Sequence, residues 1–433
     1  RTPVRSAIVA ESVALASSSE LAAEAGGASA AAGGNAVDAA IAAALVSINT
    51  EPGVCSLGCG GYLTIWPPGG EPVTLDGYVA VPGHGNPRPA AERRAEQVHL
   101  EYGGGVDTII GPDSIGVPGG IAALGEASRR WGKLPWQELL APVVSITRQG
   151  FPLPVASYHY LEYSGTPIFG RAADGFRALH DEQGQLRRPG ESIVVPHLAD
   201  SLEAIAKNGP QEMYSGELGR QIADFVIDSG GRLNREDLAA YQVIERPSLG
   251  AELAGWRIAT NPPPAVGGSV LIAMLQLMAR RELADWDDAA LYYLVDVQRA
   301  VLGFRRSHLD LSDDLEADAR RLLGHAAAGE LAAVLESAST CHTSAVDATG
   351  LACSVTMSAG YGAGDMPPGT GVWLNNCLGE LELNKRGLEP GPPGTRLPSN
   401  MAPSVARGDA GETLAIGSPG ADRITTAILQ TLV

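Results

Sequence analysis

After Leu335 the chain changes texture, and this change constrains the fold more than any other feature. Residues 343–347, 352–358 and 372–375 read as short strands joined by Gly-rich turns. Upstream, the period is helical over residues 121–131, 136–148, 197–207, 217–229, 235–241, 270–279 and 291–305. Residues 12–44 predict two Ala-rich helices parted by Gly33-Gly34-Asn35, where glycine ends the first and Asn35 caps the second. Val37, Ile41, Leu45 and Ile48 form a stripe that buries the second helix along one side. A hairpin follows, with strands at 60–66 and 73–75 around Pro67-Pro-Gly-Gly70. The acidic run 310–318 and the small residues 326–329 suit an exposed connector between the two textures. Helices early and strands late fit layered sheets covered by helices.

Composition excludes several classes of function. Formal charge is −18, from 49 acidic and 31 basic residues, so nucleic acid would be repelled over most of the surface. Much of the 45% hydrophobic content is alanine, and no stretch reaches the roughly eighteen unbroken apolar residues of a membrane span. Cys55, Cys59, Cys341, Cys353 and Cys377 lack zinc-site spacing and read as reduced, buried thiols. The histidines form no ligand pair and Gly103-Gly-Gly105 lacks a phosphate-loop context, so no metal or cofactor is expected. Without an apolar leader the expected location is the cytoplasm, secretion being left open because the sequence starts with Arg1.

Ser339-Thr340-Cys341-His342-Thr343-Ser344-Ala345-Val346-Asp347 lies where the connector meets the first late strand. Read alone, Thr340 is a β-branched residue opening a strand. A hydroxyl here could also attack the carbonyl of Ser339, form an ester, and release a new α-amine on hydrolysis. That amine, with an ordinary pKa of about 8, would then serve as base for the same hydroxyl.

The segment resembles the Thr-Thr-His-x-Ser-Val-Val-Asp signature of the γ-glutamyltranspeptidase family, with Cys341 in place of the second Thr. Further segments resemble that family in order along nearly the whole chain: Gly33-Gly-Asn-Ala-Val-Asp-Ala-Ala40, Gly116-Val-Pro-Gly119, Gly132-Lys-Leu-Pro-Trp136, Gly231-Arg-Leu-Asn234, Pro262-Pro-Pro264, Gly371-Val-Trp-Leu-Asn-Asn376 and Gly417-Ser-Pro-Gly420. The resemblance implies an α+β fold, the four-layer αββα sandwich of the N-terminal-nucleophile hydrolases. It implies cleavage between Ser339 and Thr340, giving a large segment 1–339 and a small segment 340–433 that stay together as a heterodimer. Thr340 would be the nucleophile, with Ser358 beside it. The N–H groups of Gly420 and Ala421 would hold the oxyanion, an effect worth roughly 3 kcal/mol per donor. Glu380 falls where a family Asp receives the substrate α-ammonium, and Ser399 and Asn400 where a Ser pair contacts substrate.

The glutamate-reading residues depart from the family pattern. Tyr78 stands at or next to the position of an Arg that binds the substrate carboxylate, and no cation replaces it nearby in the sequence. Gly360 replaces an Asn, with Tyr361 following. The chain stops at Val433, inside a helix predicted from about Asp422, where the family continues through further strands. Three readings follow. The first is a hydrolase or acyltransferase working through an acyl-Thr340 ester on a small acyl or amino-acid-derived substrate. The second is a relative that cleaves a non-glutamyl acyl group, or a C–C bond, in building 4-alkyl-proline units of antibiotics. The third is an uncut, non-catalytic binding protein.

Overall fold

Gly33, at φ 97°, turns the chain out of helix α1 (Glu20–Ala31), and Asn35 opens α2 (Ala36–Thr50) in the computed structural model, which describes residues 7–10, 13–85, 88–101, 104–281, 286–330, 341–420 and 423–433. The Asn35 side chain accepts from the N–H groups of Val37 and Asp38, and the Asp38 carboxylate accepts from the N–H of Asn35. This reciprocal cap satisfies donors that a helix start leaves orphaned. The expectation of one buried stripe on α2 falls short, because all 15 of its residues are buried. Alanine accounts for the difference: side chains this small let α1, a third helix and the sheet close on the helix from several sides.

Residues 13–17 are a strand, not a helix start. Val13 and Leu15 point inward while Ala14 and Ala16 are exposed, and that period of two decides the local structure. The strands are β1 (Ala7–Ala10), β2 (Val13–Ser17), β3 (Gly60–Trp66) and β4 (Val73–Gly77), with short hairpins β5 (Glu96–Leu100) to β6 (Val106–Ile110) and β7 (Phe151–Pro152) to β8 (Ser192–Ile193). Then come β9 (Ile244–Pro247), β10 (Leu249–Leu253), β11 (Trp256–Thr260), β12 (Cys341–Asp347), β13 (Ala352–Ser358), β14 (Ser404–Gly408) and β15 (Thr413–Ile416). Among the described residues the larger sheet has seven strands in the order β1-β2-β12-β13-β3-β4-β9, and a second has four in the order β10-β11-β14-β15. All pairings in both are antiparallel. The late strands are thus threaded between early ones: Thr343 faces Ser17 across one ladder and Met357 faces Gly61 across another.

Trp66, Ala259, Ala352 and Val405 form an apolar layer between the two sheets. On the outer face of the larger sheet lie α1 and α2, with α3 (Gly120–Trp131) and α4 (Trp136–Gln149) packed on α2. Helices α5 (Val155–Ser164), α6 (Ala173–Leu179), α7 (Leu198–Asn208), α8 (Glu217–Ser229) and α9 (Arg235–Ala240) complete that half. Beyond the smaller sheet, α10 (Val266–Met278) packs on α11 (Asp288–Phe304), α12 (Leu315–Ala328) and α13 (Arg423–Leu432). Helix, sheet, sheet, helix is the expected four-layer order.

Two readings need correction. Residues 315–328 are helix α12, not a connector: Asp314 caps it, and Glu316 and Asp318 sit in its first turn, where carboxylates favour a helix start. Residues 372–375 form no strand beyond a bridge from Leu374 to Gly58. There the Asn375 amide donates to the carbonyls of Gly58 and Gly116, at 2.9 and 3.0 Å, in place of a ladder.

The cap also joins elements. Asp38 accepts from the N–H groups of Lys133 and Leu134 as well as that of Asn35. Asp38→Ala strands these donors and should cost about 3 kcal/mol, whereas Asn35→Ala should cost about 1 kcal/mol as a lost cap. Urea denaturation midpoints check the order; equal losses would mean that the Asp38 contacts add nothing to the cap.

Candidate active site

Ser339 and Thr340 lie outside the described residues, as does Ala421. What is described is the strand bonded to Thr340 and the groups around its start. Cys341 opens β12 opposite Met357, and its thiol, 3% exposed, points to the Met357 carbonyl at 3.5 Å. It also meets the thiol of Cys55, which in turn meets Cys59. Contact with Cys55 and burial push the Cys341 thiol up, and burial does the same to Cys55, so these two thiols are neutral. Glu51, just past α2, accepts from the Ser18 hydroxyl at 2.5 Å, and burial raises its pKa to about 7. Ser358 ends β13 at the same edge, 5% exposed, and its hydroxyl accepts from the N–H of Gly360 at 3.1 Å.

The Gly417-Ser-Pro-Gly420 turn follows β15 and is tied to the β12–β13 pair. Ser354 donates to the Ile416 carbonyl at 2.9 Å, and a Cβ on Gly417 would fall 2.2 Å from the His342 ring. His342 bridges Thr356 at 2.9 Å and Ser344 at 2.7 Å, and burial drives its pKa down to about 3. It is therefore a neutral spacer beneath the turn and not a base. Gly420, at φ 115°, has a conformation that other L-residues rarely adopt.

A second group of residues gathers past Ser358. Gly360 has φ 68°, and a Cβ there would lie 2.4 Å from the Asn376 side-chain oxygen and 3.0 Å from the Glu380 carboxyl. Asn376 accepts from the N–H of Tyr361 at 2.7 Å and is held from behind by Thr108 and the Ile109 carbonyl. Tyr361 stacks on Tyr160 and donates to Glu382 at 2.7 Å. Glu380 is 5% exposed, and its Oε2 is buried with no hydrogen-bond partner among the described residues. Burial first, then the charge of Glu382, raises its pKa to about 8, with the Cys377 thiol lowering it slightly.

Tyr78 joins this group through Cys377. Its phenol is 1% exposed and stacks on Tyr62 with centroids 5.6 Å apart. Burial, Cys377 and Glu380 push its ionisation far up, so it carries no charge. Two arginines lie by the adjoining strand: Asp76 of β4 pairs with Arg246 at 2.8 Å and Arg396 at 3.4 Å, and Arg396 also stacks over Tyr241. Leu397 donates to the Val79 carbonyl, which lays the segment carrying Ser399 and Asn400 beside that of Tyr78. Ser399 and Asn400 are buried at the start of α10, where the Ser399 carbonyl accepts from Val266 and Gly267.

Gly360, Tyr361, Glu380 and Tyr78 thus come together, with Ser358 adjoining and Ser399 and Asn400 on a neighbouring segment. Sequence reasoning gave no role to Cys377, Asn376, Glu51 or His342. Asn376 lay in a segment already matched to the family, and His342 in the signature itself, so position was available and only the contacts were missing. Among the described residues no group of three or more His, Cys, Asp or Glu is placed to hold a metal ion, and no helix is long and apolar enough to cross a membrane. Clefts of about 740 and 760 Å³ lie elsewhere, around Trp286 and Arg257 and around Trp136 and Tyr214. Neither is lined by Cys341, Ser358, Gly360, Tyr78, Glu380 or the 417–420 turn.

Glu51 and Glu380 have a pH signature. Both hold protons in the folded chain that the unfolded chain releases from about pH 4.5, so stability should fall as pH rises through 7 and 8. Melting temperatures between pH 5 and 8.5 should decline, and Glu380→Gln should flatten the upper part of that decline. An unchanged slope in the variant would show that Glu380 is already ionised at pH 7.

Comparison with known proteins identifies the family. The family model for gamma-glutamyltranspeptidase matches residues 22–433. The glutathione hydrolase proenzyme of Pseudomonas aeruginosa is 30% identical, over 97% of this chain and 79% of its own length. An acylase ACY 1 proenzyme of Pseudomonas sp. strain V22 is 28% identical over 95% of this chain and 77% of its own. The fold matches that of a cephalosporin acylase from Bacillus halodurans with a TM-score of 0.79, at 23% identity, over 100% of this chain and 82% of that one. With a family match over almost the whole chain and the expected layers in place, the chain belongs to the gamma-glutamyltranspeptidase family, enzymes of the N-terminal-nucleophile hydrolase type.

Proposed function

We propose that the chain is a self-processing threonine hydrolase or acyltransferase. The observation that carries this reading is that Ser358 and the start of β12 lie at one end of the β12–β13 pair, with Gly417, where the turn begins, against His342 of β12. In processing, the Thr340 hydroxyl attacks the Ser339 carbonyl, the peptide nitrogen leaves as the Thr340 amine, and water hydrolyses the Ser339 ester to a carboxylate. Two segments result, 1–339 and 340–433, joined in one sheet through the β2–β12 and β13–β3 ladders.

In turnover, the new α-amine takes the proton of the Thr340 hydroxyl as the oxygen attacks a substrate carbonyl. The N–H groups of Gly420 and Ala421 hold the oxyanion, Ser358 hydrogen-bonds the amine or hydroxyl, and the leaving amine departs with the proton. Water or an acceptor amine then takes the acyl group from Thr340. Glu380 receives a substrate ammonium, while Tyr78, Gly360, Tyr361, Ser399 and Asn400 shape the pocket. The uncharged Tyr78 and Cys377 favour a second reading of the substrate, a non-glutamyl acyl group, over a γ-glutamyl amide. Hydrolysis of a C–C bond would use the same Thr340 attack with an enolate as leaving group.

Denaturing electrophoresis tests the processing step. The purified protein should run as two bands cut between Ser339 and Thr340, and Thr340→Ala as one. A two-band pattern in that variant would remove Thr340 from the mechanism. Gly420→Ala places a Cβ at φ 115° and should lower kcat about 100-fold with little change in KM, as expected for a lost oxyanion donor. A change confined to KM would assign the turn to substrate binding.

A further inference from the structure

We propose that the acyl end of this pocket selects acyl groups bearing a primary ammonium with no carboxylate beside it, such as a 4-aminobutanoyl amide, over γ-glutamyl amides. The inference rests on the preceding reading for the identity of the pocket and deepens it by naming the substrate class.

Glu380 carries the argument. Its side chain is buried, and Oε2 has no hydrogen-bond partner among the described residues. The carboxyl reaches the space that any side chain on Gly360 would fill, since a Cβ there would lie 3.0 Å from Oε2. A buried carboxyl with one oxygen unpartnered and no counter-charge either keeps a proton or takes a cation from outside. The groups acting on it are Glu382 and the Cys377 thiol, with no cation among them. A ligand ammonium supplies both the missing hydrogen bond and the missing charge, and a charge-assisted bond in a dry site is among the strongest available.

The other half of a glutamate has no such receptor. At Tyr78 the pocket presents a phenol flanked by Cys377 and Glu380. Arg246 on β9 and Arg396 are ion-paired with Asp76, and Arg396 also donates to the Gln242 carbonyl. A carboxylate entering here would lose its water and face Glu380 and Glu382 without a counter-charge. The 4-aminobutanoyl group is a γ-glutamyl group with hydrogen in place of the α-carboxylate, so the two isolate that single term. The butanoyl group lacks the ammonium as well.

The test compares 4-aminobutanoyl, γ-glutamyl and butanoyl p-nitroanilides on the processed protein, corrected for spontaneous release. Equilibrium binding of 4-aminobutanamide, glutamine and butanamide is measured alongside. The 4-aminobutanoyl anilide should exceed each of the others at least 10-fold in kcat/KM, and its amide should bind in the same order. Glu380→Gln should bring the 4-aminobutanoyl and butanoyl compounds level, and Tyr78→Arg should raise the γ-glutamyl compound relative to both. Equal or better use of the γ-glutamyl compound, or of the butanoyl one, overturns the proposal. If no anilide is cut while 4-aminobutanamide still binds best, the catalytic reading fails and the subsite stands. If the three amides bind alike, the subsite fails even where an anilide is cut.

Discussion

The packing of α2 beneath the paired strands β12 and β13 is the contact on which the rest depends. The helix starts at a cap that also receives the N–H groups of Lys133 and Leu134, and the Asp347 carboxylate at the far end of β12 accepts from the N–H of Ala36. It ends at Glu51, beside the thiols of Cys55 and Cys341. One rigid element therefore locates both ends of the strand that carries the proposed nucleophile. Preorganisation of this kind lets a short hydroxyl side chain act as a directed nucleophile.

Against that rigid background the substrate side is built from exchanges of size and charge. A carboxylate one methylene longer than Asp needs room, and Gly360 supplies it by having no side chain. Beside it Tyr78 presents an aromatic ring stacked on Tyr62. The two changes are coupled through Cys377, which touches both Tyr78 and Glu380. An acidic group is thus kept in a dry site whose neighbours no longer include a base, and its proton affinity rises accordingly.

Local signals in the chain predicted the elements whose causes are local. Asn35 and Asn234 cap the helices expected of them, the 60–66 hairpin forms, and a helix runs from Arg423 as foreseen. Errors arose where the cause is distant or shared. Residues 13–17 follow an alternation that was masked by alanine, which suits helix and strand patterns alike. The 310–329 stretch looked solvated because its acids were read as surface charge, whereas two of them stabilise a helix start. For the site, motif order brought the chain positions together, but not the contacts of His342 under Gly417 or of Cys377 between Tyr78 and Glu380. His342 and Gly417 are 75 positions apart and Tyr78 and Cys377 nearly 300, and no periodicity encodes such contacts.

The threading of late strands between early ones has a consequence for how long the molecule lasts as a unit. Strand β12 is clasped by β2 on one side, and its partner β13 by β3 on the other, with Trp66 and Val405 sealing the layer below. Were the backbone severed before β12, as proposed, no surface would peel away as it would at an ordinary subunit boundary, since the joint would run through the middle of a sheet. The two pieces would then share one unfolding barrier. Dilution, which dissolves most complexes, would have little hold on such a joint.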